Sequence, residues 1–377
     1  MSTTKPLFVF GTLRDRALLA LVAGETVEVI DARLPGCRVA EAAGQSFPIL
    51  REDPDGSAVG VLMPDLTPQQ AARLDYYEAP YEYHRREVRV VTSDGEVSAE
   101  VYVPPDGRWM PASDWSLAVW QAQHGALMRE AAVEIMDGFG RIDPADIAGR
   151  FPVIRTRAQQ RCNAREVSSP TILRRPHSRD DVKLIEKKQS YAHFFAVEDA
   201  ILTARKFDGG FSEPMERAVF VTADAVTVLP YDPLRDRVLL IEQFRAATYL
   251  RGDRNPWSLE AIAGRQDPGE TREDSVRREA MEEAGLTLGA LHKVASYYSS
   301  PGANTEYMNS YIAIADLPDG TQGVGGLDSE AEDIRSMLVS FETLMEAVEN
   351  GEAENGPLVI SALWLAQRRA GFQAAAN

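Results

Sequence analysis

Hydrophobic and polar positions divide the chain into stretches of distinct texture. "PLFVFGTL" (Pro6–Leu13) is an apolar run broken by Gly11 and predicts a buried strand feeding a tight turn. "SAVGVLMPDL" and "EVRVVTSDGEVSAEVYVPP" alternate or run apolar, and the Ser-Asp-Gly step in the second predicts a hairpin. "TPQQAARLDYYEAP" opens on Thr-Pro, a helix start signal, and predicts a short helix. "SDWSLAVWQAQHGALMREAAVEIMDG" has helical spacing closed by Gly138 and predicts a helix packed on the sheet. From Gly149 to Asp181 the chain is rich in Arg, Ser and Pro with little periodicity, which predicts an interdomain linker. Beyond Val182, "AVTVLPYDPLRDRVLLIEQFR" predicts two apolar strands joined by an Asp-Pro turn. "SFETLMEAVENG" predicts a helix closed by Asn350-Gly351, and "GPLVISALWLAQRR" a second with Arg368 and Arg369 in its last turn. The expected organisation is therefore a domain over residues 1–148, a linker over 149–181 and a second domain over 182–377.

Composition agrees with this division and narrows the partners. A chain of 377 residues exceeds one ordinary core. The formal net charge of -17 is a poor match for a nucleic-acid backbone or an anionic membrane surface. Such a chain suits a cation, or an anion held through metal ions. Neither a signal-peptide apolar region nor a run of about 18 apolar residues occurs. Cys37 and Cys162 are far apart and predict reduced thiols, and hence a cytoplasmic protein. The histidines, His84, His124, His177, His193 and His292, show no zinc spacing.

The densest chemistry lies in "GRQDPGETREDSVRREAMEEAGL", Gly264–Leu286. Thr271 and Asp274 form a helix start signal, Val276, Ala280 and Ala284 recur every four residues, and Gly285 is a helix stop. Glu279, Glu282 and Glu283 then share one side of the helix, at spacings i, i+3 and i+4. Like charges so placed destabilise an isolated helix. A hard divalent cation reverses the sign of that effect, and Arg278 is placed to brace the cluster.

The spacing Gly264, five residues, Glu270, seven residues, Arg278-Glu279, then Glu282-Glu283 and Gly285-Leu286 resembles the Nudix box at every fixed position. The resemblance implies an α/β/α sandwich and hydrolysis of a nucleoside diphosphate linked to a further moiety. It also implies Mg2+, with Mn2+ as the alternative, held by Glu279, Glu282, Glu283 and the backbone carbonyl of Ala263. Glu270 is expected to shape the loop–helix junction. "SPGANTE" (Ser300–Glu306), "LEAIAG", "IEQFRAATY" and "SEAEDIR" look like segments of bacterial ADP-ribose pyrophosphatases, over roughly Val182–Arg369. That likeness implies Glu330 as general base with Glu332 beside it. It also implies Arg245 on a phosphate, Arg217 in recognition across a homodimer, Phe194 stacked on adenine and Glu260 among the substrate contacts. Relatives often carry an acid after the position of Arg217, where this chain has Ala218. Within the class, GDP-mannose or another sugar nucleotide is the alternative substrate.

"FVFGTLR" (Phe8–Arg14) together with "LDYYEAPYEYHRREV" (Leu74–Val88) resembles γ-glutamylcyclotransferase-like proteins of the AIG2 type, over roughly residues 5–105. The resemblance implies a small mixed β-barrel with a pocket, carboxylate binding by the turn Gly11, Thr12 and Leu13, and Glu78 as acid/base. Tyr83 and Arg85 match the Tyr-x-Arg element of those proteins, while Phe10 replaces their usual Tyr. The expected fold class is thus α+β: a mixed β-barrel domain followed by an α/β/α Nudix sandwich. The alternative function is a γ-glutamylcyclotransferase as the main physiological activity.

Overall fold

The first apolar run forms β1 (Leu7–Val9) at the heart of a closed barrel, in a computed structural model that describes residues 4–166, 170, 172–327 and 332–376. The other barrel strands are β2 (Ile30–Ala42), β3 (Pro48–Met63), β4 (His84–Thr92) and β5 (Gly95–Val103). β1 pairs antiparallel with β3 and parallel with β5; β5 pairs with β4, β4 with β2, and β2 returns to β3. Closure leaves these five strands no open edge among themselves. A short β6 (Pro111–Asp114) extends β2. Side-chain alternation sorts β1: Phe8 joins the cluster of Leu34, Leu62 and Val101, whereas Leu7 and Val9 face α1 (Arg16–Ala23) and α2 (Pro68–Glu78). The start of α2 is fixed by a capping box, with Thr67 accepting from the Gln70 N–H and the Gln70 side chain accepting from Thr67.

The helical stretch before residue 138 is interrupted. It comprises α3 (Leu117–Trp120), a π turn over Gln121–Gly125, and α4 (Ala126–Asp137). It is followed by α5 (Pro144–Glu166), which covers much of the expected linker. Pro152 inside it, and its many arginines, made the sequence look loop-like. Packing against α4 overrides both signals, because Ile147, Ile154 and Ala158 join the barrel unit's core. Arg157, 2% exposed, donates to the Glu134 carboxylate at 3.0 Å, and Arg161 donates to the same group at 3.2 Å. The chain divides at Arg174/Arg175 rather than across 149–181. At the far end of the expected linker, Asp181 already belongs to the second unit, accepting from His177 and Arg205.

The second unit opens with a three-stranded antiparallel sheet, β7 (Val182–Ala192), β8 (Ala196–Ala204) and β9 (Met215–Val221). A larger mixed sheet follows, built of β10 (Ala225–Asp232), β11 (Arg237–Phe244), β12 (Trp257–Glu260), β13 (Ile262–Arg265), β14 (Leu291–Tyr298), β15 (Tyr307–Ile314), β16 (Val324–Gly325) and β17 (Ile334–Ser340). Its path is β14-β15-β10-β11-β17-β16, with β10 and β15 parallel and the other described pairings antiparallel, and with β12 on β11 and β13 on β10. A short α6 (Ala246–Arg251) links β11 to β12.

Both faces of that sheet are covered, which is why its strands read as near-continuous apolar runs. Val226, Val228, Leu239 and Ile241 pack under α7 (Arg272–Ala284), whose Val276 and Ala280 are fully buried. Leu229, Tyr231, Val238 and Leu240 face α8 (Phe341–Asn350) and α9 (Gly356–Ala376). Helix α9 continues past Arg369, so its arginines lie in mid-helix; Arg369 pairs with Asp236.

The Arg157–Glu134 pair is dry on both sides, so removing one partner strands the other as a buried charge. Glu134→Ala should cost the barrel unit about 3–5 kcal/mol, read from its urea-unfolding transition; a loss below about 1 kcal/mol would contradict this account.

Candidate functional sites

In the second unit, the residues from Gly264 to Leu286 form a loop, helix α7 and a second loop. Thr271 caps the helix by accepting from the Asp274 N–H at 3.1 Å, and Gly285 ends it in the left-handed region at φ 62°. The apolar stripe binds α7 to the sheet and turns its acidic edge toward β13. Glu283, 3% exposed, accepts from the Ala263 N–H at 3.2 Å. Glu279 lies flat against Gly264, where an added Cβ would fall inside its carboxylate.

Arg278 organises the rest. It donates to Glu279 Oε1 at 2.7 Å and to Glu282 Oε2 at 3.0 Å through one nitrogen. Its Nε and Nη2 reach Glu270 at 3.0 and 3.1 Å, and Nη2 also reaches the Arg265 carbonyl. Glu270 accepts from Ser275 as well, so it anchors the loop–helix junction and aims Arg278. Burial works against the charge on Arg278, but Glu270, Glu279 and Glu282 together raise its pKa above the ordinary value.

The cluster is short of positive charge even so. Burial pushes the Glu279 carboxyl up to about 7, with Glu282 and Glu332 adding to the rise against Arg278. Burial pushes Glu283 up to about 9, opposed by the Ala263 N–H and reinforced by Glu279 and Glu332. An all-oxygen set of carboxylates in this state fits a hard divalent cation. Among the described residues no three ligating side chains already converge on one point. The Arg278 guanidinium sits between two of them and takes the oxygens an ion would use.

Other expected residues gather here to different degrees. Arg245 is held by Glu260 in a two-pronged pair at 2.9 and 2.7 Å, and it feels the charges of Glu283 and Glu332. Phe194, 53% exposed, has the Arg265 guanidinium 4.2 Å from its ring centre, beside Gly264. Arg217, on β9, donates to the Glu216 carbonyl and does not reach the carboxylates of α7 among the described residues. Glu330 lies outside the described residues. Sequence reasoning missed the stacking of Arg265 on Phe194, which depends on two segments about 70 residues apart meeting in space.

The barrel unit holds a second site, a cavity of about 360 Å³. Gly11, Thr12, Leu13, Glu78 and Tyr83 all line it, as the sequence suggests. Arg85 does not; it is tied to Asp75 and Glu100. Burial pushes the Glu78 carboxyl up to about 8, with Asp75 adding to the rise. Phe47, Tyr81 and Phe151 form an aromatic wall with ring centres 5.6 Å apart. Trp120, His124, Met128 and Arg155 complete it. Sequence reasoning missed these residues because they lie on α3–α5, in stretches taken for a packing helix and a linker.

A carboxylate-edged helix set between a mixed sheet and its loops, with helices on both sheet faces, defines a Nudix-type domain. A NUDIX domain profile matches residues 221–360, and a "Gamma-glutamyl cyclotransferase, AIG2-like" profile matches residues 7–117. ADP-ribose pyrophosphatase of Escherichia coli strain K12 is 38% identical over 187 residues, 50% of this chain and 88% of that protein. The protein of the same name from Haemophilus influenzae is 34% identical over 190 residues, 50% and 87% of the two chains. GDP-mannose pyrophosphatase of Pectobacterium atrosepticum is 30% identical over 179 residues, 48% and 91%. The chain belongs to the Nudix family of hydrolases and carries an AIG2-like γ-glutamyl cyclotransferase domain before its Nudix domain. Among the described residues no helix is long and apolar enough to cross a membrane.

Gly264→Ala should displace Glu279 and lower hydrolytic turnover by about 10²-fold while the unfolding transition of the second unit stays near wild type; full activity would show that the Glu279 position is not needed. In the barrel, the raised pKa of Glu78 has a defined sign. The folded state binds the extra proton between pH 4.5 and about 8, so Glu78 lowers stability progressively as pH rises through that window. Glu78→Gln should therefore gain on wild type by on the order of a few kcal/mol between pH 5 and pH 9. A stability difference independent of pH would place Glu78 in water.

Proposed function

We propose that the Nudix unit hydrolyses the pyrophosphate bond of ADP-ribose or a related ADP-sugar, giving AMP and, from ADP-ribose, ribose 5-phosphate. The observation that carries this is the buried carboxylate cluster on α7, in a chain 38% identical to an ADP-ribose pyrophosphatase over half its length. Glu279, Glu282, Glu283 and the Ala263 carbonyl would hold Mg2+ or Mn2+. A bound divalent ion would neutralise pyrophosphate charge and lower the pKa of a water.

The chain's own residues do the rest. Arg278 neutralises Glu279 and Glu282 at rest and remains anchored by Glu270 when those oxygens turn to an ion. Arg245 is set by Glu260 to present guanidinium N–H groups to a phosphate, a match of fork to oxygens. Phe194 offers an exposed ring to adenine, backed by Arg265. Glu330, two residues before Glu332 in sequence, serves as general base on the attacking water. Arg217 acts in recognition through a homodimer.

A second activity is favoured by one observation in the barrel, a buried acid with pKa of about 8 in a cavity of small-molecule size. We infer that Glu78 takes a proton from the α-ammonium of a γ-glutamyl compound. The freed amine nitrogen bonds to the γ-carbonyl carbon and sheds its second proton as the bond from that carbon to the leaving nitrogen breaks; the leaving amine takes up both protons, the first through Glu78, and departs as an ammonium. The products are 5-oxoproline and the free amine, and no water is consumed.

The test is a panel of nucleoside diphosphate sugars with the full chain and Mg2+, reading nucleoside monophosphate release. ADP-ribose should turn over, and Glu282→Gln or Glu283→Gln should lower kcat at least about a hundredfold. Release of GMP from GDP-mannose alone would replace the substrate; undiminished rates in either variant at saturating Mg2+ would remove the ligand assignment.

A further inference from the structure

The barrel cavity is only partly made from the residues that match the cyclotransferase profile. Its matched part, within residues 7–117, supplies the turn Gly11–Leu13 and Glu78. Further wall residues lie outside that match: Trp120 on α3, His124 on the π turn, Met128 on α4, and Phe151 and Arg155 on α5. The π turn carries His124, and such turns re-aim side chains within an otherwise regular helix. Burial and the charge of Arg155 hold His124 below its ordinary pKa, so it adds no second cation at neutral pH.

Arg155 differs from the arginines near it on α5. Arg157 and Arg161 pair with Glu134, and Arg165 pairs with Glu130. Arg155 makes no ion pair with any described residue, and its Nε is buried without an acceptor. Its guanidinium lies 6.0 Å from the centre of the Phe151 ring, on the cavity wall. Two more donors on the same wall, Tyr83 Oη and Trp120 Nε1, are likewise buried without an acceptor. Each such orphan donor costs about 1–3 kcal/mol, and three in one cavity call for a ligand rich in acceptors. Glu78 is the one acid in the lining, and the cyclotransferase chemistry already occupies it.

We propose that Arg155 is a specificity-determining residue that pairs with a carboxylate on the leaving amine, so that the barrel acts on γ-glutamyl amino acids in preference to γ-glutamyl amines. The proposal rests on the cyclotransferase activity inferred above. One guanidinium with two neutral donors balances one negative charge, which suits a carboxylate better than a phosphate dianion.

The experiment compares γ-glutamyl-alanine with γ-glutamyl-ethylamine, which differ by that carboxylate alone. Release of 5-oxoproline by the full chain should favour γ-glutamyl-alanine by about 10–100-fold in kcat/KM, as expected for a hydrogen bond between charged groups. The preference should reside in KM, collapse in Arg155→Met and be partly restored in Arg155→Lys. Calorimetric binding of both compounds to Glu78→Gln, which blocks turnover, separates the two claims. Carboxylate-dependent binding that Arg155→Met abolishes, with no 5-oxoproline from any variant, would uphold the role of Arg155 in recognition and overturn the cyclotransferase activity. Equal turnover of the two compounds would uphold the activity and overturn the role of Arg155. Neither binding nor turnover would overturn both.

Discussion

Helix α7 holds Glu279, Glu282 and Glu283 along one edge, and two of them are well buried. Like charges so placed would drive the edge apart or force protonation, and most of the surrounding architecture answers that problem. Val276 and Ala280 bind the opposite stripe to the sheet so firmly that the edge cannot turn to water. Arg278 places one nitrogen between two carboxylates, and Glu270 holds Arg278 from the other side. Gly264 gives up its side chain so that Glu279 can lie against β13, and the Ala263 N–H meets Glu283. Remove any one of these and the remaining charge has fewer partners than its burial demands.

The barrel handles a buried acid differently. Glu78 stands at the end of α2 among Tyr77, Tyr81 and Tyr83, and forms no salt bridge with any described residue. Its environment favours the neutral form, and the pKa of about 8 places its proton within reach of neutral chemistry. Several acids held against each other suit a cation. One acid held against aromatic walls suits the passage of a proton. The two units thus tune carboxylates by different means, repulsion offset by Arg278 in one and desolvation in the other.

Much of the fold was legible because it rests on local signals. The Thr-Pro start of α2, the Ser-Asp-Gly hairpin between β4 and β5, the Asp-Pro turn between β10 and β11, and the caps of α7 and α8 all form where the sequence places them. The carboxylates of α7 were legible for the same reason, since i, i+3 and i+4 fix a helix face without any tertiary information. What escaped was decided at long range. Helix α5 carries Pro152 and an unpromising polar composition, and it becomes a helix because α4 supplies Glu134 for its arginines and an apolar face for Ile154. Once α5 was mistaken for a linker, Arg155 could not be seen as part of a cavity. The contact of Arg265 with Phe194 was hidden in the same way.

Both sites are off balance in charge at rest, and in opposite directions. The α7 edge carries more negative charge than Arg278 and Arg245 offset, so whatever completes it brings positive charge. The barrel wall carries a guanidinium and two neutral donors with no acceptor, so whatever completes it brings negative charge. Elsewhere the helix that bears Arg155 settles its charges internally, with Arg157, Arg161 and Arg165 each paired to a glutamate. A helix able to satisfy its other arginines leaves one unsatisfied only where something outside the fold completes it. On that principle the side chains left without partners are the ones a ligand would complete, and in the barrel two of the three, Trp120 and Arg155, lie on helices beyond the family-matched residues.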